Sequence, residues 1–440
     1  MTTSFQDRLL QVIPGGAHTY SRGYDQYPEN APQIMAHGKG AYTYDPNGHE
    51  YLDYGMALRA VNIGYAEDEI DLAAFAQIKN GNNLTRASLI ELEAAELLVD
   101  LIDGIDMVKF TKNGSTAVSA AVKLARAYTG RTLVARCAEQ PFFSYDDWFI
   151  ASTPVKRGIP SNIIEQTKLF AYNDIASLEQ LIAHFPDQLA CVVLEPAAVS
   201  HPAPSLTHPG ETYLHDVQRL CKKHGIVFIL DEMITGFRWD LKGAQHYYHL
   251  QPDLCTFGKA MANGFSVAAV AGKREIMELG SIEFAGRERL FLLSTTHGAE
   301  MSGLGAFVKT VELMKRDGVV EHMWRYGQQL IDLINLKAAN AGIADFFKAG
   351  GVACSPWYAT CDKTGNPSLP LRTLFSQEMI KQGVLMPWIA LSYRHGALEL
   401  EKTAAALECA LLVYARALEQ GSTDGLLQGA AIKPVFRCYN

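Results

Sequence analysis

The chain has 440 residues, 48% of them hydrophobic and 20% charged, with a formal net charge of −8. That length suits one large domain plus a smaller one, and the acidic balance, without any Lys/Arg run, argues against a surface that tracks a phosphate backbone. No apolar stretch approaches the ~18 residues of a membrane span, and Asp7 and Arg8 fall where a signal peptide needs an apolar core. The expectations are therefore no nucleic acid, no membrane, and a cytoplasmic protein. Its eight cysteines include no C-x-x-C pair or Cys/His cluster, so no metal site is expected.

Residues 41–55 alternate around Asp45-Pro-Asn-Gly48, which predicts a β-hairpin. Residues 88–101 carry apolar positions at helical spacing. From about 105 the pattern alternates. Short apolar strands are expected at 107–111, 132–137, 189–195, 225–231, 254–257 and 267–271, with helices such as 115–128, 176–184, 211–224 and 298–316 among them. Such alternation implies an α/β fold, a parallel sheet covered by helices on both faces, with ligands at the carboxyl ends of the strands. Further helices are expected at 371–382 and 397–419. We read a small α+β domain built from both termini (1–65 and 321–440) and a large domain over 66–320. The tail from 421 reads as loop.

Three segments carry candidate chemistry. Asn113-Gly114-Ser115-Thr116 follows the strand MVKFT and opens an amphipathic helix. Small residues at a helix start offer backbone N–H groups and hydroxyls to a phosphate, although a Ser or Thr there often serves only as a cap. Asp231 ends the apolar run Gly225-Ile-Val-Phe-Ile-Leu, and Lys259 follows the next one in Phe257-Gly258-Lys259-Ala-Met-Ala. Glu195 also falls at a strand end. An acid and a lysine at the ends of two buried strands suit pyridoxal 5'-phosphate (PLP). The lysine forms the Schiff base with its aldehyde, and the carboxylate keeps the pyridine nitrogen protonated. The small, apolar setting of Lys259 would lower its pKa and favour the free amine.

The motifs occur in a recognisable order: Tyr44-Asp-Pro-Asn-Gly-His-Glu-Tyr-Leu-Asp53, Asn113-Gly-Ser-Thr116, Tyr172-Asn-Asp174, Leu194-Glu-Pro196, Leu230-Asp-Glu-Met-Ile-Thr-Gly-Phe-Arg238, Pro252-Asp253, Phe257-Gly-Lys259, Thr295-Thr-His-Gly298 and Leu371-Arg-Thr-Leu-Phe375. With these the chain resembles the class III, fold-type I PLP-dependent aminotransferases, in the subgroup similar to glutamate-1-semialdehyde aminomutases, from Ile13 to about His395. The resemblance implies that Lys259 is the Schiff-base lysine and proton carrier and that Asp231 pairs with the pyridine nitrogen. It implies that Gly114, Ser115 and Thr116 hold the phosphate, and that Phe142 stacks on the cofactor ring. Glu195 would belong to the hydrogen-bond network of the site, and Arg22 would grip a substrate carboxylate. Thr296 matches a threonine that reaches the phosphate of the neighbouring subunit, implying a homodimer with shared active sites.

The chain departs from that pattern in places. Phe142-Phe143-Ser144 stands where the family usually has Tyr-His-Gly, and Asn263-Gly264-Phe265-Ser266 replaces the usual glycines followed by proline. Residues 151–160 lack the glycine-rich gating loop of the aminomutases, and 383–395 is several residues short of a second aminomutase feature. An aminomutase keeps its intermediate enclosed, whereas a transaminase releases one product and admits a second substrate. The expectation is a transaminase moving an amino group from an amino-acid donor, L-glutamate, to an aldehyde or ketone acceptor. Trp388, Tyr393 and Arg394 are candidates for a pocket that takes an oxo-sugar. The alternative is a 2,1-aminomutase.

Overall fold

A computed structural model describes residues 4–197 and 200–439. The chain forms two compact units. One takes the chain up to Glu67 together with the segment from Glu321 onward, and the other is Asp68–Val320. In chain order the strands are β1 (His37–Lys39), β2 (Tyr42–Tyr44), β3 (Glu50–Asp53), β4 (Met107–Thr111), β5 (Leu133–Cys137), β6 (Thr167–Phe170), β7 (Leu189–Leu194), β8 (Val227–Asp231), β9 (Leu254–Phe257), β10 (Ala268–Gly272), β11 (Phe347–Val352), β12 (Ser355–Thr360) and β13 (Val384–Leu385).

The larger unit holds a seven-stranded sheet in the order β4-β10-β9-β8-β7-β5-β6. The neighbours from β9 through β6 pair in parallel. β10 runs antiparallel to both β4 and β9, so the sheet is mostly parallel, as the fold-type I resemblance implies. Every residue of β7, β8, β9 and β10 is buried. That explains why these strands read as continuous apolar runs instead of alternating ones. Helices begin and end where local chemistry allows. Ser88 and Glu91 form a reciprocal capping box on Leu89–Leu101. Gly225 adopts the left-handed conformation that closes helix Tyr213–His224 directly before β8.

In the smaller unit β2 and β3 form the expected hairpin, joined by β1 and, in parallel, by β13. Asp45 Oδ1 accepts from the N–H groups of Asn47 (2.8 Å) and His49 (2.9 Å), which fixes the Asp-Pro-Asn-Gly turn. β3 runs into an unusual segment. Met56, Ala57, Leu58 and Arg59 take φ values of 39°, 49°, 63° and 67°, one turn of left-handed helix without a glycine. Each such residue costs roughly 1–2 kcal/mol in L-amino acids. The turn is braced by buried Asp53, whose Oδ1 accepts from Gly55 N–H at 2.6 Å and whose Oδ2 accepts from Tyr65 Oη at 2.7 Å. Tyr65 Oη in turn accepts from Ala57 N–H at 2.8 Å. Strand β6, the helices Asp68–Lys79 and Val319–Asn340, and the β11–β12 hairpin were not expected from the sequence.

Candidate active site

The carboxyl ends of β7, β8 and β9 lie side by side in the sheet, with Leu194 opposite Leu230 and Asp231 opposite Thr256. Asp231 is the last residue of β8 and only 1% exposed. Its Oδ1 accepts from Met233 N–H at 2.9 Å and from Thr256 Oγ1 at 3.1 Å. Burial pushes its carboxyl up to about 6, while the Met233 hydrogen bond, the positive charge of Lys259 and the Thr256 hydroxyl pull the other way. Glu232 is also fully buried and raised to about 7 by burial, but its oxygens accept from Thr235 Oγ1, Ala244 N–H (3.0 Å) and Gln245 N–H (2.7 Å). It braces the chain after β8, leaving Asp231 as the carboxylate under the influence of a lysine.

Lys259 opens a short 3-10 turn just beyond β9, with φ of +40°. Such a conformation in a lysine is sparsely populated, and strain of this kind concentrates at functional sites. Met233 links this turn to the start of helix Gly114–Thr129. A Cβ placed on Gly114 would lie 2.7 Å from Met233 Sδ, and one on Gly258 would lie 2.6 Å from it. A side chain at either position would force the Met233 thioether aside, so glycines at 114 and 258 let both segments pack against the same side chain.

At the helix start the cap is Asn113. Its Oδ1 accepts from Thr116 N–H at 2.9 Å and Thr116 Oγ1 at 3.0 Å. Capping thus occupies Thr116, while the first N–H groups of the helix, on Gly114 and Ser115, lack intrahelical acceptors by geometry. Ser115 Oγ accepts from Tyr145 N–H at 3.2 Å. Glu195 immediately follows β7 and is 3% exposed. Its backbone is clamped on both sides by buried Gln140, which accepts from Glu195 N–H (2.8 Å) and donates to Glu195 C=O (2.7 Å).

The other candidates are more dispersed. Phe142 is 48% exposed and meets Phe149 edge-on at 5.7 Å, whereas Phe143 is buried in the core. Thr296 is exposed in the loop before helix Met301–Asp317, and its carbonyl accepts from Asn83 Nδ2 at 2.9 Å. Arg22 belongs to the smaller unit, exposed at the end of the turn Tyr20–Arg22, and its charge acts on the hydroxyls of Tyr27 and Tyr65. Trp388 donates to Gly55 C=O and packs on Met56, Val61 and Ala390. Tyr393 lies edge-on to His322, and Arg394 forks onto the Glu67 carboxylate at 2.7 and 2.6 Å. Each thus has a structural role within its own unit. Sequence reasoning missed Met233, Gln140 and Thr256. Met233 could have been suspected from its place two residues after Asp231, but nothing in a sequence marks a loop glutamine as a backbone clamp.

The site is that of an enzyme with a strand-end carboxylate, a strained lysine on the neighbouring strand end, and a helix start that packs on Met233, as the lysine's neighbour Gly258 does. The Aminotransferase class-III family model matches residues 24–355, and the chain belongs to that family. It is 33% identical over 398 residues to the 3-aminobutyryl-CoA aminotransferase of Cloacimonas acidaminovorans, covering 89% of this chain and 90% of the relative. To the glutamate-1-semialdehyde 2,1-aminomutase of Francisella philomiragia it is 30% identical over 340 residues, covering 75% and 76%. Its fold is that of the FumI protein of Sphingopyxis sp. MTA144, solved with PLP (TM-score 0.83, 24% identity, 96% of this chain and 97% of that one). The cofactor is pyridoxal 5'-phosphate, and the residues present fit it. A buried carboxylate, a lysine one strand away and a helix start free of Cβ bulk at Gly114 are what its ring nitrogen, aldehyde and phosphate require. Among the described residues no cluster of His, Cys, Asp and Glu could hold a metal ion, and no helix is long and apolar enough to cross a membrane.

Proposed function

We propose that this class III aminotransferase takes an amino group from L-glutamate and delivers it to the carbonyl carbon of an aldehyde or ketone. Asp231 carries the reading. A carboxylate buried to 1% exposure, held by Met233 and Thr256 and sensing Lys259, is organised to keep a proton on a basic ring nitrogen. Bound PLP supplies the electron sink for the bond broken at the substrate carbon. Lys259 Nζ anchors the cofactor and carries the proton to and from that carbon, and its strained backbone favours one orientation of the side chain. Gly114 and Ser115 donate backbone N–H groups to the phosphate, while Thr116 contributes through the cap. Phe142 offers an exposed ring face, and Glu195, held by Gln140, takes part in the polar network. Asp68–Val320 is the cofactor-binding domain in this reading.

Arg22 is the recognition group for a substrate carboxylate, which supports an amino-acid donor. Trp388, Tyr393 and Arg394 are engaged in contacts of their own, so an oxo-sugar acceptor draws no support from them. The 2,1-aminomutase reading keeps one argument, the 30% identity to enzymes of that name.

We further read the protein as a cytoplasmic homodimer. Leu72, Phe75 and Ile78 recur every third residue along helix Asp68–Lys79, and these, with Leu84, Leu89 and Leu92, are all about half exposed or more. Asn83, within that stretch, holds the Thr296 loop. A second copy seated there would cover the patch and receive Thr296. All eight cysteines are free, in keeping with a reducing compartment.

The deciding experiment is the visible spectrum of purified enzyme before and after L-glutamate without acceptor. Bleaching of the yellow absorbance with release of 2-oxoglutarate supports the transaminase. A yellow enzyme unmoved by glutamate or alanine favours the aminomutase.

A further inference from the structure

The described residues of the tail beyond helix Ala397–Gln420, 421–439, form no strand or helix, yet they are tied down at both ends. Buried Gln377 donates to Leu426 C=O at 3.0 Å and accepts from Gln428 N–H at 2.7 Å. One turn earlier on the same helix, Thr373 Oγ1 accepts from Ile432 N–H at 3.0 Å. Thr373 and Gln377, four residues apart, present one face of Leu369–Lys381 as a track for an extended chain. The tail then crosses to the N-terminal segment. Lys433 N–H donates to Asp25 C=O at 3.0 Å, Gln26 Nε2 donates to Lys433 C=O at 3.0 Å, and Arg437 pairs with Asp25 Oδ2 at 2.5 Å. Gly429 passes so close to Glu29 that a Cβ there would lie 2.1 Å from the carboxylate.

The anchored residues adjoin Arg22. Two consecutive 3-10 turns, Tyr20–Arg22 and Tyr24–Gln26, share Gly23, so fixing Asp25 and Gln26 fixes where the preceding turn presents its arginine. Alone, such short turns have too few hydrogen bonds to hold a position. The Asp25–Arg437 pair is three-quarters or more shielded on both sides (21% and 25% exposed), better placed to hold geometry than a fully solvated surface pair.

We propose that residues 423–437 form a strap that sets the position of Arg22, with Asp25 and Arg437 as positioning residues for recognition of the substrate carboxylate. This rests on the reading of Arg22 as a substrate-binding residue. The strap is specific to carboxylate-bearing substrates, because an uncharged amine gains nothing from a well-placed guanidinium.

The test uses the full-chain holoenzyme with Arg437→Ala and with the exchange Asp25→Arg/Arg437→Asp. Rapid-mixing absorbance gives the maximal rate and half-saturating concentration of the half-reaction with L-glutamate, and hydrogen exchange reads the amides of residues 20–26. In Arg437→Ala the expected result is faster exchange across 20–26 and a roughly tenfold higher half-saturating concentration, with the maximal rate within about twofold. The exchange variant should restore both, and Arg437→Ala should add nothing once Arg22→Ala is present. Unchanged amide exchange in Arg437→Ala refutes the strap. Faster exchange without a shift in half-saturation refutes its role in recognition. A fall in maximal rate that the exchange variant does not restore means a general structural role and also overturns the proposal. If the unmodified enzyme is not bleached by any amino acid, the transaminase reading fails, and the amide exchange still decides the strap.

Discussion

Replacing Asp231 by Asn should make the PLP-free protein more stable while destroying its activity. In the folded chain this carboxyl is pushed up to about 6 from the ordinary Asp value of 3.8, and burial is the principal cause. The sign follows from linkage. Below about pH 4 both states hold the proton and the residue is neutral in its effect. As pH rises through this window the unfolded chain releases its proton first, so stability is lost progressively until the folded group also ionises near 6. Above that the burial penalty is fully present. A difference of about two units at roughly 1.36 kcal/mol each gives about 3 kcal/mol. Asn keeps the acceptor for Met233 N–H and Thr256 Oγ1 but never ionises. At pH 8 the Asp231→Asn apoprotein should therefore exceed the parent by about 3 kcal/mol, roughly 6 °C in Tm for a domain of this size. The advantage should shrink steadily between pH 6 and pH 4. Thermal unfolding by circular dichroism across this range, beside kcat/KM of the loaded enzyme, tests both halves. A variant no more stable than the parent at pH 8 would refute the burial argument. One that keeps parental activity would refute the role assigned to the carboxylate.

Lys259→Ala should abolish turnover while leaving the phosphate cradle able to bind PLP. Because position 259 has a φ of +40°, Lys259→Gly should be more stable than Lys259→Ala by about 1 kcal/mol, measured by denaturant unfolding. Gly114→Ala should weaken PLP binding through its clash with Met233, on the scale of about 1–3 kcal/mol typical of overpacking; adding Met233→Ala should recover part of that loss in a fluorescence titration. Ala57→Gly, in the left-handed turn, should be neutral or stabilising because strain relief offsets the entropy cost. Ala339→Gly, in the ordinary helix Val319–Asn340, should cost about 0.5–1 kcal/mol, and equal losses at both positions would count against the turn. Phe75→Glu should shift the protein to a monomer in light scattering and reduce activity, and an unaffected oligomer would remove the apolar face from the proposed interface.

How much of this was legible beforehand depended on whether the signal was local. Strands β7 to β10 were readable because burial on both faces demands unbroken apolar runs, and helix Leu89–Leu101 because its pattern and capping box sit in consecutive residues. The antiparallel β10 was not, since strand direction depends on how the intervening chain crosses the sheet and not on the strand's own residues. Strand β6 was missed because Thr167-Lys-Leu-Phe is short, and its two middle residues, Lys168 and Leu169, are less buried than its ends, so it shows neither an unbroken apolar run nor a clean alternation. The same division runs through the site. Asp231 and Lys259 are visible as residue types at strand ends, but what makes them distinctive is three-dimensional. Asp231 owes its raised pKa to burial, and Lys259 takes its φ of +40° directly after Gly258, which packs against Met233. No propensity scale assigns a left-handed conformation to lysine, or to Met-Ala-Leu-Arg, since all of these residues favour the right-handed helix. At Met56–Arg59, where the chain defies that preference, neighbouring side chains brace it: Asp53 accepts from Gly55 N–H and Tyr65 Oη, and Tyr65 Oη accepts from Ala57 N–H. The tail shows the same limit from the opposite side. Its residues have no periodicity to read, and its order comes from Thr373, Gln377 and Asp25, partners about 50 to 410 positions away.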